Sequence, residues 1–211
     1  MEKNWNQEYK SKWNERYQSE KFAYGKEPNQ FFKHWILKLN PGKILLPADG
    51  EGRNGVFAAK NNWDVTAFDI SEKGKEKALK LAQEFNVKID YLVGEIDSLH
   101  LKQNSFDAIA LIYAHVASDK KSDFHQSLNS LLKPDGIVIF EAFSKNHIYF
   151  NAKNPKVGGP KDLDLLFSKE EIKQDFKNYD ILFLEEKEIE LSEGEFHNGK
   201  GFVIRFVGKK R

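Results

Sequence analysis

A rhythm that begins at Lys43 most narrows what this chain can fold into. Short apolar runs, "KILLP", "DVTAFDIS", "VKIDYLVG", "FDAIALIYAHV" and "GIVIFEAFS", are interleaved with stretches of helical pattern, "GVFAAKNN", "EKGKEKALKLAQEFN" and "DKKSDFHQSLNSLL". Apolar runs of this length bounded by turn residues read as buried strands. Strands alternating with helices require right-handed crossovers and give a parallel sheet covered on both faces. Two more runs, "DILFLEEKEIELSE" and "GKGFVIRFVGKK", are joined by "GEFHNG" and read as an antiparallel hairpin on the sheet edge. The expected fold class is α/β: a doubly wound, Rossmann-like seven-stranded sheet, mostly parallel, with a C-terminal antiparallel hairpin.

Residues 1–40 do not share this rhythm. Trp5, Tyr9, Trp13 and Tyr17 recur every four residues, one stripe of a helix over 4–20. "AYGKEPN" interrupts it, and "PNQFFKHWILKLN" reads as a second helix with Pro28 near its start. The expected organisation is one domain over 1–211, with a helical cover over 1–40 and the sheet over 41–211. "SKNHIYFNAKNPKVGGPKD" is expected to be a long loop, and Ser168 to cap the helix "SKEEIKQDF". Ser71 is expected to cap the helix that begins "EKGKEK".

A doubly wound sheet binds ligands beyond the carboxyl ends of its strands. The first strand here runs into "LPADGEGRN". Ala48, Gly50 and Gly52 allow a ligand close to the backbone. Asp69 ends the second strand 19 residues after Gly50, where an acid takes ribose hydroxyls. Gly50, Gly52 and Gly55 match G-x-G-x-x-G, the spacing used for dinucleotides. Asp49 and Glu51 within the loop would repel a pyrophosphate and suit a ligand with a cationic end. On charge, S-adenosylmethionine is favoured over a nicotinamide cofactor.

These residues resemble the class I S-adenosylmethionine-dependent methyltransferases, and in particular the small bacterial enzymes related to the tellurite-resistance methyltransferase. "LLPADGEGRN" keeps Gly50, Gly52, Arg53 and Asn54 of the family turn. Ala48 stands at the first glycine and Leu46 at the strand-end acid. "WNERYQSEKFAYGKEPNQFF", "NSFDAIALIYAHV", "LLKPDGIVIFEAF", "GGPKDLDLLFS" and "EGEFHNGKGFVIRFV" also resemble this group, so the likeness covers nearly the whole chain. It implies a methyltransferase with S-adenosyl-L-methionine as cofactor and S-adenosyl-L-homocysteine as product, acting on a small thiol, metalloid oxyanion or similar nucleophile. It also implies that the N-terminal segment folds over the cofactor.

Roles follow residue by residue. Asp69, with Ile70 beside it, is expected at the ribose. The backbone from Ala48 to Gly52 is expected along the methionine portion, with Asp49 at the ammonium in place of the acid that Leu46 lacks. Glu95 and Ile96, after the third strand, take the adenine end, with Asp97 as a rival. Arg16 and Tyr24 reach the carboxylate from the cover. Asn54 is a cofactor-binding candidate, although with Arg53 it also reads as a brace for the loop. Tyr113 and His115 end the fourth strand beside the expected methyl group. His115 is a general-base candidate and, equally, a polar pocket wall. Glu195 and His197 are too few for a metal site, and no metal is expected.

Composition sets outer limits. The chain of 211 residues has 33 basic and 32 acidic side chains, so no global charge draws it to nucleic acid or membranes. It has no cysteine, which excludes disulfides and thiolate chemistry. Its first residues lack a signal-peptide core, and no apolar run is long enough to span a bilayer. A cytoplasmic protein, monomer or homodimer, is expected. The alternatives are a non-catalytic binder of an adenosine ligand and a nicotinamide-dependent oxidoreductase.

Overall fold

The computed structural model describes residues 5–211; residues 1–4, and the side chains of Trp5 and Asn6, lie outside the described residues. Seven strands form one sheet in the order β3-β2-β1-β4-β5-β7-β6. They are β1 (Lys43–Pro47), β2 (Asp64–Asp69), β3 (Asp90–Val93), β4 (Phe106–Ile112), β5 (Leu132–Phe143), β6 (Tyr179–Glu193) and β7 (His197–Lys210). The pairings among β1 to β5 are parallel, while β7 runs antiparallel to both β5 and β6. The chain order reverses between β1 and β4, so the crevice at this switch point lies over the carboxyl ends of those two strands. The expected α/β architecture is present.

Among the described residues seven α-helices accompany the sheet: α1 (Trp5–Arg16), α2 (Gln30–Ile36), α3 (Arg53–Lys60), α4 (Glu72–Glu84), α5 (Lys121–Leu131), α6 (Ile148–Lys153) and α7 (Lys169–Asp175). The central strands are apolar along their length because both faces are covered. Ile44, Leu45, Leu46, Ala108, Ile109, Ala110 and Leu111 are all buried. One face packs Leu45, Ile109, Leu111, Phe140 and Phe206 with residues of α5 and α7, and the other packs Ile44, Leu46 and Ala110 with α2, α3 and α4. Ser71 caps α4 through Gly74 N, and Ser168 forms a capping box with Glu171 on α7.

Three expectations are corrected. The first helix ends at Arg16 rather than 20, so Tyr17 begins a bend and turns into the core, where it is 5% exposed. The second helix spans only Gln30–Ile36 and is capped by Asn29, which accepts from Phe32 N. The segment after β5 is not a plain loop. It holds α6 and short 3-10 turns, and His147 and Asn151 both donate to Gly158 O. His147 Nδ1 in turn accepts from Phe202 N, fastening the segment to β7.

Candidate functional site

The turn after β1 is built from backbone that side chains resist. Ala48 has φ 53°, Gly50 56° and Gly52 82°, all in the left-handed region. Glycine at the position of Ala48 therefore answers to conformation as much as to ligand approach. The other two glycines also serve packing. A Cβ on Gly52 would fall 2.5 Å from the Ala78 Cβ of α4, and one on Gly50 would fall 2.5 Å from the Tyr17 hydroxyl. Gly52→Ala should cost about 3 kcal/mol, from overpacking against rigid helix backbone plus the unfavourable φ. Urea unfolding followed by circular dichroism measures this.

Asp69 ends β2 directly beside this turn. One carboxylate oxygen accepts from Gly50 N at 3.1 Å and the other from Ser71 N at 2.9 Å. The residue is 7% exposed, and it forms no ion pair among the described residues. Burial pushes its pKa up to about 6, against the pull of three backbone N–H groups. Each oxygen keeps a lone pair for another donor.

Glu95 and Ile96 follow β3, and Gly94 N donates to Asp69 O at 3.0 Å, so the two strand ends are neighbours. The Glu95 side chain is exposed. Above the crevice lies α1. Tyr9 Oη donates to His115 O at 2.8 Å, and Ser71 Oγ donates to Asn14 Oδ1 at 2.8 Å. Tyr9 and Trp13 meet edge-on, and Trp13 stacks on Tyr17. Helix α1 is thus tied at one point to the end of β4 and at another to the Asp69–Ser71 turn.

Arg16 and Tyr24 lie together, with Arg16 Nη1 donating to Tyr24 Oη at 3.2 Å. The guanidinium lies 3.7 Å from the centre of the Phe196 ring, and Arg16 forms no ion pair among the described residues. Its open donors suit a carboxylate.

The two loop acids act differently from expectation, and Asn54 takes the bracing role that its position also suggested. Asp49 Oδ2 accepts from Gly55 N at 3.1 Å and so caps α3, whose N-cap residue Gly52 has no side chain to do so. Burial pushes the Asp49 pKa up to about 8. Glu51 is 4% exposed, accepts from Ala23 N and Tyr24 N, and pairs with Lys77 at 2.6 Å. The electrostatic argument from these acids is therefore corrected. One is largely neutral near pH 7, and the other is consumed in anchoring the cover. Asn54 is likewise a brace: its Oδ1 accepts from Asn29 N at 2.9 Å. Arg53 donates to Tyr24 O and pairs with Glu193 at 2.9 Å. Leu46 is core, 1% exposed, and one Asp49 oxygen is engaged by Gly55 N.

At the other side of the crevice Tyr113 has φ 54°, a strained conformation for an aromatic residue. Its ring packs on Phe143 and His197, each near 4.7 Å centre to centre (4.7 and 4.6 Å). His115 Nδ1 lies 3.0 Å from Leu165 O, and its ring runs parallel to Phe143. His197, named in the sequence with Glu195, pairs instead with Glu193 at 3.0 Å. No group of three metal-binding side chains occurs among the described residues. No helix among them is long and apolar enough to cross a membrane.

The sequence reading missed a buried polar network beneath the cover. Asn29 Nδ2 donates to both Glu141 and Glu193, Arg205 pairs with Glu141, and Arg53 pairs with Glu193. These residues come from the cover, α3, β5, β6 and β7. Their spacing carries no local pattern that would link them, although Pro28-Asn29 and Arg53 each stand in a recognisable motif.

Residues 44–136 match the methyltransferase domain family. The chain is 30% identical over 108 residues to the uncharacterized methyltransferase YbaJ of Bacillus subtilis (strain 168), which covers 51% of this chain and 42% of that protein. It thus spans under half the length of the curated relative it matches. Among solved structures, one described for the conversion of a disulfide bond into a thioacetal group during echinomycin biosynthesis superposes with a TM-score of 0.78 at 13% identity, covering 98% of this chain and 92% of the other. TehB from Haemophilus influenzae superposes with a TM-score of 0.70 at 16% identity, covering 96% and 67%. At such identities these two speak for the fold.

Proposed function

We propose, from the premise that residues 44–136 form a methyltransferase domain of the class I S-adenosylmethionine-dependent kind, that this chain is an enzyme that methylates a small molecule. The observation that carries the reading is Asp69, a buried carboxylate with backbone donors, no cation and spare acceptor capacity at the switch point of the sheet. S-adenosylmethionine offers a ribose diol for it, a carboxylate for Arg16 and an adenine for the segment at Glu95 and Ile96. When bound, the cofactor supplies a methyl group on a sulfonium, which is already activated towards displacement.

The protein's own work is then to hold, align and exclude water. Asp69 fixes the ribose. The Ala48–Gly52 turn fixes the backbone path along the methionine portion. Helix α1, held at Asn14 and Tyr9, closes the crevice. Tyr113 and His115 wall the end where the acceptor meets the methyl group. A crevice covered by α1 on one side and fastened by the His147–Asn151 segment on another admits a small acceptor more readily than a polymer. A thiol or metalloid nucleophile falls within that class.

Isothermal titration calorimetry tests the cofactor. S-adenosylhomocysteine should bind with micromolar or better affinity and NADH much more weakly. Tighter binding of NADH would overturn the reading in favour of an oxidoreductase.

A further inference from the structure

A groove of about 410 Å³ runs between the end of α1 and the turn that joins β6 to β7. Its lining includes Lys12, Glu15, Arg16, Lys21, Glu195 and Phe196. Cavities from about 300 Å³ upwards hold whole small molecules. The groove therefore has room for more than the carboxylate of a cofactor. Three of these side chains are basic and two acidic. Lys21 is partly balanced by Glu195, 3.8 Å away. Arg16 is held ready, stacked 3.7 Å from the centre of the Phe196 ring and donating to Tyr24 Oη. A donor fixed in advance loses little freedom when an anion arrives. Arg16 is assigned above to the cofactor carboxylate, and the inference rests on that reading.

That assignment leaves Lys12 without an anion. Lys12 forms no ion pair among the described residues, although Glu8 and Glu15, both exposed, stand one turn away on either side. Its ammonium lies instead over the Tyr9 and Trp13 rings, 5.8 Å from each centre. Partial burial, and then Arg16 four residues further along α1, hold its pKa below the ordinary lysine value. Like charges at this spacing on a helix repel. An anion beside Lys12 removes that repulsion. Lys12 also stands beside the acceptor end of the crevice. Tyr9, beneath its ammonium, donates to His115 O. On the other side Tyr24, which holds Arg16, packs 4.6 Å from the His197 ring, itself 4.6 Å from Tyr113. Groove and acceptor end thus share α1 and Tyr24 as walls.

We propose that the methyl acceptor carries a carboxylate apart from its nucleophilic atom, and that Lys12 binds this carboxylate in the groove while Arg16 holds that of the cofactor. A carboxylate brings one charge to one unbalanced ammonium. A phosphate monoester brings about −1.5 to −2, into a groove that already holds Glu15 and Glu195. Lys12 is then a specificity-determining residue. It chooses among small acceptors by a group that takes no part in the methyl transfer, and its effect is on acceptor binding.

The test uses the full chain saturated with S-adenosylhomocysteine and titrated in a calorimeter with three probes of one length: 6-mercaptohexanoate, the neutral 6-mercaptohexanol and 6-mercaptohexyl phosphate. The carboxylate should bind about tenfold more tightly than the alcohol, and more tightly than the phosphate. Lys12→Met keeps an apolar stem over the two rings and removes the charge. It should bind the carboxylate no better than the alcohol, and S-adenosylhomocysteine as the wild type does. In the wild-type complex, nuclear Overhauser contacts from the methylene beside the probe's sulfur should reach the Tyr113 or His115 ring. Equal binding of carboxylate and alcohol, tighter binding of the phosphate, or a carboxylate preference that survives in Lys12→Met would each overturn the proposal. So would sulfur-end contacts confined to α1 and Phe196, or a loss of S-adenosylhomocysteine affinity in Lys12→Met, which would give Lys12 to the cofactor. Failure of S-adenosylhomocysteine to bind the wild type would instead remove the cofactor reading beneath it.

Discussion

Asp69→Asn should weaken S-adenosylhomocysteine binding about 100-fold at pH 8, a loss of about 3 kcal/mol for two hydroxyl donors to a buried carboxylate. The effect should depend on pH in a direction the structure fixes. The carboxylate form receives the diol, and burial holds the Asp69 pKa up at about 6, above its ordinary 3.8. As pH falls through 6 the free wild-type protein takes up a proton there, and ligand must displace it. Wild-type affinity should therefore decline below about pH 6, while Asp69→Asn should show no such step. The same shift predicts the stability of the ligand-free chain. A carboxyl whose folded pKa is raised destabilises the fold above that pKa, and the cost is relieved as pH falls from about 6 towards 3.8. Thermal unfolding of wild type against Asp69→Asn at pH 8 and pH 5 should show the wild type gaining on the variant at the lower pH. Calorimetric affinity that is unchanged in Asp69→Asn would remove the ribose assignment.

Asp69 was legible because its position is encoded locally. It ends an apolar run at a fixed distance from a glycine turn, and both signals lie within about twenty-five residues. The strand order was legible for the same reason: alternating strands and helices leave few topologies open. Arg16 and Tyr24 were legible as residues of the cover because both lie in one short motif, while their bond to each other was not. What the sequence concealed is the use of long-range partners. Glu51 and Asp49 sit in the same loop and look alike on the page. Only the fold shows that Lys77, on α4, neutralises the first, and that Gly55 N claims the second. Asn54 presents the same problem, because its partner Asn29 lies across the chain in the cover. The loop acids pointed to a cationic ligand by an argument the structure does not sustain, whereas Asp69 stands buried at the strand end where the sequence put it, and its ribose role stays a proposal.

Glu51→Ala should loosen the N-terminal cover while leaving the sheet folded. The Glu51 carboxylate accepts from Ala23 N and Tyr24 N and pairs with Lys77, whose ammonium also reaches Ser19 O and Lys21 O. Four backbone groups from residues 19–24 thus converge on one buried ion pair, and removing one partner from such a pair costs roughly 3–5 kcal/mol. Few of these contacts bear on the core strands, so the loss falls on the segment that Glu51 holds. Amide hydrogen exchange should rise over residues 17–27 and α1, with protection of β1, β4 and β5 unchanged. Because Arg16 and Tyr9 are carried by the same segment, affinity for S-adenosylhomocysteine should fall as well. Glu51→Gln separates charge from shape: its amide oxygen still accepts from the backbone, so exchange should rise less than in Glu51→Ala. Exchange in Glu51→Ala that rises equally across the sheet would mean that the ion pair supports the whole domain. Wild-type exchange over 17–27 would mean that the cover is held from elsewhere, through Arg53 and the β6–β7 turn, where Glu195 N donates to Ala23 O. Under the expected result, the acid in the glycine turn serves the cofactor through the lid it fastens, and its distance from the ligand does not measure its effect on binding.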